Sequence, residues 1–64
     1  MFDEYLKKLE NLAIAGSVDA SRRLGNIYHD GAGVKRDFAK AIEWYQKAAL
    51  LGDRWSLSRI SDMS

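Results

Sequence analysis

Apolar residues recur at helical spacing in four successive stretches of the chain. They follow one face of a 3.6-residue period over residues 2–15, and the pattern returns over residues 18–29, 38–51 and 54–63. Short glycine-bearing breaks separate the stretches, so we predict an all-α fold of four helices in which neighbours pack antiparallel. The positions predicted to face the core are Phe2, Leu6, Leu9, Leu12, Ala13, Ala20, Leu24, Ile27, Tyr28, Phe38, Ala41, Ile42, Tyr45, Ala48, Ala49, Leu57, Ile60 and Met63.

The breaks between the predicted helices carry residues that suit helix ends. Gly16 can adopt the backbone conformation of a C-terminal cap, and either Ser17 or Asp19 can accept hydrogen bonds from the free amides of the second helix. Asp37 is placed to cap the third helix in the same way. Between the second and third helices, Val34 is the one apolar side chain of the loop that can return to the core.

Superposing Gly16 on Gly52 reveals an internal repeat. The shift places Phe2 on Phe38 and relates the first predicted helix to the third and the second to the fourth. We call two residues that this shift superposes repeat counterparts. The central pair of helices is one complete unit, and half of a unit flanks it on each side.

The complete unit resembles the SEL-one-like repeat family, whose members are relatives of the tetratricopeptide repeats. The family pattern is an alanine, Leu-Gly, a tyrosine, Gly-x-Gly-Val, an aspartate, an alanine, Trp-Tyr, Ala-Ala and a closing glycine. The resemblance implies a short right-handed α-solenoid of about four antiparallel helices, with residues 1–64 as a single repeat domain. The matching positions are Ala20, Leu24, Gly25, Tyr28, Gly31, Gly33, Val34, Asp37, Ala41, Trp44, Tyr45, Ala48, Ala49 and Gly52.

Gly25 lies between core positions of the second helix, where glycine costs roughly 0.5–1 kcal/mol relative to alanine. We therefore interpret it as a packing glycine, at which the backbone of another helix passes too close for a Cβ. Trp44 and Tyr45 are both predicted to be structural. Trp55 differs, because its repeat counterpart Asp19 is predicted to be exposed; an indole there either folds over the last helix or is offered to a partner.

Composition and charge exclude several classes of function. The formal net charge is +1, with 10 basic and 9 acidic residues spread along the chain, so nucleic acid is not a predicted ligand. One histidine and no cysteine argue against a structural zinc site or an iron–sulfur cluster. The N-terminal segment lacks the continuous apolar run of a signal peptide or membrane span, so we expect no membrane association and favour a cytoplasmic location.

No arrangement of catalytic residues is evident. His29 precedes Asp30, but adjacent residues of a helix do not face one another, so we predict no catalytic pair. The loop from Gly31 to Gly33 lacks the third glycine and the Gly-Lys-Ser/Thr sequence of phosphate-binding loops. We expect neither enzymatic activity nor a cofactor.

The resemblance implies that the first helix of each unit lines a concave surface, which would bring polar residues of the second and fourth helices together. These residues are either a partner-binding surface or ordinary solvated side chains. With Trp55 as a possible anchor, the predicted partner-binding residues are Arg22, Asn26, His29, Trp55, Ser58 and Asp62.

The sequence therefore predicts a non-catalytic protein–protein interaction module that binds a peptide or protein segment through its concave face. One alternative is a structural protein that self-associates through exposed repeat ends. Another is a small inhibitor or adaptor protein that caps one specific enzyme. The residue pattern alone is compatible with all three.

Overall fold

A computed structural model describes residues 2–63, which form four α-helices: α1 (Phe2–Ile14), α2 (Val18–Asp30), α3 (Phe38–Leu50) and α4 (Arg54–Met63). No strand occurs within this range. The helices follow one another in space as they do in sequence, because α1 packs on α2, α2 on α3 and α3 on α4. The predicted all-α helical repeat is confirmed, with each predicted helix within a residue or two of its observed bounds.

The two short turns between helices share one geometry. Gly16 and Gly52 have φ angles of +106° and +109°, in the region that favours glycine. In each turn the residue after the glycine donates its backbone N–H to the carbonyl five residues earlier, at 2.9 Å in the first turn and 3.0 Å in the second. These bonds end α1 and α3 in the manner of a Schellman turn. The internal repeat is therefore present in the backbone as well as in the sequence.

Side-chain caps begin α2 and α3. Of the two candidates for α2, Ser17 is the cap, since its hydroxyl accepts from the backbone N–H of Ala20 at 3.2 Å. Asp37 caps α3 as predicted, by accepting from the backbone N–H of Lys40 at 3.1 Å. Asp19 lies in the first turn of α2, where a carboxylate interacts favourably with the helix dipole.

The core lies along the seam between α2 and α3 and extends to both flanking helices. Small side chains on α3 let α2 approach closely, and Val34 returns from the loop to the core as predicted. The buried apolar residues are Leu9, Ala13, Ala20, Leu24, Tyr28, Ala41, Tyr45 and Ala48. Partly buried side chains that pack against them are Leu6, Ile27, Val34, Trp44, Ile60 and Met63.

Three residues predicted to face the core are instead exposed. Leu12, Phe38 and Leu57 are 44%, 51% and 60% exposed. Leu12 and Leu57 lie on α1 and α4, which have an extensively packed neighbour on one side only. Phe38 is the first residue of α3, and its ring lies at the surface, 5.5 Å from the ring of His29. Helical spacing located the apolar stripe but did not show how many helices cover it.

Gly25 packs against the side chain of Tyr45. A Cβ at this position would overlap the tyrosine ring, so glycine is required by the packing of α3. The prediction of a close contact is confirmed, but the prediction that a helix backbone makes it is wrong. The loss of one Cβ makes space for a large ring, and Tyr45 is completely buried.

Candidate functional site

Side chains of α2 and α4 meet on one side of the chain. Successive turns of each helix bring its polar residues onto one face, because residues three and four apart are neighbours on a helix surface. We call this surface the α2–α4 face. Its residues are Arg22, Asn26, His29, Trp55, Ser58, Arg59 and Asp62.

Trp55 lies between two arginines on the α2–α4 face. Its ring packs edge-on against Tyr45, with the centroids 5.9 Å apart and the planes at 74°. The guanidinium carbons of Arg22 and Arg59 lie 6.0 Å and 5.4 Å from the indole, within the range of cation–π attraction. Trp55 nevertheless remains 44% exposed. The indole is therefore both packed against the core and accessible.

Arg22 has two carboxylate neighbours. One terminal nitrogen lies 3.0 Å from Asp19, and the other lies 3.8 Å from Asp53. Its sequence neighbour Arg23 takes the second oxygen of Asp19 at 2.7 Å and also interacts with Tyr5 of α1. The two adjacent arginines thus point to different sides of α2, and only Arg22 belongs to the α2–α4 face.

Arg59 is a member of this face that the sequence analysis missed. Its terminal nitrogen lies 3.3 Å and 3.4 Å from the two ring nitrogens of His29. Its Nε is buried and has no hydrogen-bond partner among the residues that the structure describes. Within residues 2–63 no carboxylate pairs with it at 4.0 Å or less. The spacing of four residues from Trp55 was the sequence signal for an aromatic–arginine pair.

His29 links the α2–α4 face to the start of α3, where its ring lies 5.5 Å from that of Phe38. Its Nδ1 lies 2.9 Å from a carboxylate oxygen of Asp30, so the expectation that these neighbours do not contact each other is wrong. Asp30 is the last residue of α2, and its exposed side chain reaches back to the ring. With Phe38, Asp62 and Met63, His29 also lines a pocket of about 230 Å³.

The remaining two predicted site residues differ in their surroundings. Asn26 accepts a hydrogen bond of 2.5 Å from the Tyr45 hydroxyl, so its amide is bound to the core. Burial raises the pKa of Tyr45, and the nearby Arg59 guanidinium opposes that shift. Ser58 is exposed on α4, one turn before Asp62, and within the described range it forms no hydrogen bond with another predicted site residue.

The structure thus brings four of the six predicted residues into two pairs, Arg22 with Trp55 and His29 with Asp62. In the part of the chain that the structure covers, no group of three or more His, Cys, Asp or Glu residues is placed to hold a metal ion. No helix within residues 2–63 has the length and apolar character needed to span a membrane.

The chain matches the model of a known protein family. The model of the Sel1 repeat matches residues 18–53, from the first residue of α2 to the turn before α4. The matched region therefore contains the complete α2–α3 unit and more than half of the chain. Comparisons with curated proteins and with solved structures gave no significant match.

Proposed function

The chain belongs to the Sel1 repeat family, whose non-catalytic repeats mediate protein–protein interactions, and we propose that it binds a peptide segment of a partner protein on its α2–α4 face. The observation that carries this proposal is the half-exposed Trp55 between the guanidinium groups of Arg22 and Arg59. Tryptophan and arginine are among the residue types most enriched in the side chains that dominate binding energy at protein interfaces.

The charges on this face favour a partner segment that carries an acidic side chain. Arg22 already forms ion pairs with Asp19 and Asp53, whereas Arg59 pairs with no carboxylate within residues 2–63. A carboxylate of the peptide can accept hydrogen bonds from a guanidinium in a fixed, bidentate geometry. The exposed area of the Trp55 ring can pack against an adjacent apolar side chain of the same peptide.

The other residues of the face have distinct roles in this proposal. His29 and Asp62 line a separate pocket, which fits a second side chain of the peptide. Ser58 is an exposed hydroxyl that can donate to or accept from the peptide backbone. Asn26 does not contact the peptide in this proposal. It accepts the hydrogen bond of the Tyr45 hydroxyl and so holds the ring on which Trp55 packs.

A displayed library of random linear peptides tests the proposal. The wild-type chain should enrich peptides with an acidic residue near an apolar one, and these should bind a Trp55→Ala/Arg22→Ala variant at least about tenfold more weakly, a loss of about 1.4 kcal/mol. Arg23→Ala is the matched control, because it removes the same side chain from the same helix while leaving the α2–α4 face intact.

Circular dichroism must show unchanged helicity in both variants. Equal binding of the enriched peptides to the wild type and to the Trp55→Ala/Arg22→Ala variant would refute the assignment of this face. The absence of any enriched peptide would count against the proposed function as a whole.

A further inference from the structure

One exposed apolar surface of the chain lies on α1. Tyr5 and Leu12 are 43% and 44% exposed. Their repeat counterparts on α3 are Ala41 and Ala48, which are completely buried in the packed α2–α3 unit. Tyr5 and Leu12 form a surface that we call the head face, whereas Leu9, which lies between them along the helix, is 6% exposed and belongs to the core. In α3, the residues at these repeat positions lie on the side of the helix that contacts α2.

A second exposed apolar surface lies on α4 and the end of α3. Leu57 is 60% exposed, whereas its repeat counterpart Ser21 is completely buried in the packed α2–α3 unit. Leu57 and Ile60 line an open groove of about 400 Å³ together with Leu50, which is 88% exposed. We call Leu50, Leu57 and Ile60 the tail face. Apolar surfaces of this kind on small proteins mark sites of association.

We propose that the tail face of one copy of this chain binds the head face of a second copy. The repeat register supports this pairing, because α4 is the counterpart of α2 and α1 is the counterpart of α3. The second copy's α1 then packs on α4 as α3 packs on α2, so the junction continues an interface that the chain already contains. Helical repeats stack through such nearest-neighbour contacts.

The side chains that meet at this junction compensate one another. In the α2–α3 unit, the Tyr45 ring occupies the space above Gly25, where a Cβ cannot fit. At the junction the counterpart of Tyr45 is Leu9, and the counterpart of Gly25 is Ser61. Leu9 is smaller than tyrosine and is nearly buried in the core of its own chain, so it leaves room for the Cβ of Ser61 and the overlap that Gly25 avoids does not arise. At the junction Leu12 and Leu57 take the places that Ala48 and Ser21 have in the α2–α3 unit. Because leucine is larger, α1 and α4 at the junction lie further apart than α2 and α3.

The arrangement predicts a distinctive pattern of association. Head and tail are different surfaces, so each added copy leaves one head and one tail exposed, and the row stays open instead of closing as a symmetric dimer does. The junction lies apart from Trp55 and Arg22, so this inference goes beyond the proposed peptide binding and does not depend on it.

Two single substitutions test the pairing by sedimentation velocity. Wild-type mass should rise beyond that of a dimer between micromolar and millimolar concentrations. Leu12→Lys blocks the head face and Leu57→Lys blocks the tail face, so each variant alone should remain monomeric. An equimolar mixture should form a dimer and nothing larger, because Leu12→Lys retains a tail and Leu57→Lys retains a head.

Leu51→Lys is the control, since Leu51 is 42% exposed, much like Leu12, and lies outside both faces. It should associate as the wild type does, and all three variants should keep wild-type helicity by circular dichroism. A wild-type chain that stays monomeric up to millimolar concentration would overturn the proposal. A mixture of folded Leu12→Lys and Leu57→Lys that stays monomeric would also overturn it, even if the wild type associates.

Discussion

The α2–α3 unit and the flanking helices place equivalent residues in different surroundings. Ser21 of α2 and Ala48 of α3 are completely buried, whereas their repeat counterparts Leu57 and Leu12 are 60% and 44% exposed on α4 and α1. The repeat position sets the direction in which a side chain points, and the next helix decides whether that side chain is buried. The larger apolar side chains thus occur where no further helix covers them within residues 2–63, which identifies these positions as candidate contact surfaces.

The largest loss of stability is expected when a leucine in the α2–α3 unit is truncated. Leu24 is completely buried, so Leu24→Ala should lower the free energy of unfolding by about 2–5 kcal/mol through lost burial and a residual cavity. A chain of 64 residues has a total stability of roughly 3–10 kcal/mol. The variant should therefore lose a large share of the total stability, as urea denaturation followed by circular dichroism can measure.

Leu57→Ala is the matched substitution on a flanking helix. Leu57 is 60% exposed, so at a concentration where the chain is monomeric its removal should change the free energy of unfolding by about 0.5 kcal/mol or less. Similar losses for Leu24→Ala and Leu57→Ala would show that the two leucines are equally buried in solution. The distinction between the α2–α3 unit and the flanks would then be wrong.

A second pair of substitutions compares one repeat position in α2 and α4. Gly25→Ala gains up to about 1 kcal/mol of helix propensity, but the added methyl overlaps the Tyr45 ring, which has no free space to enter. Overpacking of this kind costs about 1–3 kcal/mol, so we expect a net loss of stability. Ser61 is exposed, and Ser61→Ala should be neutral or slightly stabilising.

Thermal melting at low protein concentration measures both variants. A Gly25→Ala chain as stable as the wild type would mean that the Tyr45 ring shifts at little cost. The contrast between Gly25 and Ser61 would then not reflect packing and would no longer support the head-to-tail junction.

The residue pattern predicted the helices, the repeat register and the caps, because these depend on local spacing and turn chemistry. Asp37 alone placed the start of α3, whereas Ser17 and Asp19 remained alternative caps for α2 until the structure showed Ser17 in that role. Burial of Leu12, Phe38 and Leu57 was predicted wrongly, since periodicity identifies an apolar stripe but not the helix that covers it.

The candidate site was less accessible to sequence reasoning. The six predicted residues were chosen by helical face, which could not show that Asn26 is bound to the core through Tyr45. Arg59 was overlooked although it lies four residues after Trp55, and the repeat gave no help, because its counterpart Arg23 lies in a different environment, beside Tyr5 and Asp19. Long side chains take positions that depend on contacts between distant residues, and such contacts carry no periodic signal.

A smaller effect is expected for the hydrogen bond beneath Trp55. Tyr45→Phe removes the donor to Asn26 while keeping the ring, and loss of one part-buried hydrogen bond costs about 1 kcal/mol. Tyr5→Phe is the control, because Tyr5 is 43% exposed and its polar partner Arg23 lies at the surface. Urea denaturation should show a larger loss of stability for Tyr45→Phe, and equal stabilities would argue that the Tyr45 hydroxyl contributes no more than one at the surface.

Alkaline pH provides the last and most specific test of Tyr45. Burial raises its pKa above the ordinary value of 10.0, although Arg59 partly opposes the shift. At a pH between the ordinary pKa and the raised pKa of the folded chain, the unfolded chain loses the Tyr45 proton while the folded chain retains it. Rising pH therefore favours unfolding. The stabilisation from neutral Tyr45 is thus complete below about pH 10 and is lost as the pH rises through the folded-state pKa. The stability difference between the wild type and Tyr45→Phe isolates this effect, because the other tyrosines and the lysines titrate in both chains. That difference should shrink above pH 10, and a constant difference would show that the hydroxyl ionises as readily in the folded chain as in the unfolded one.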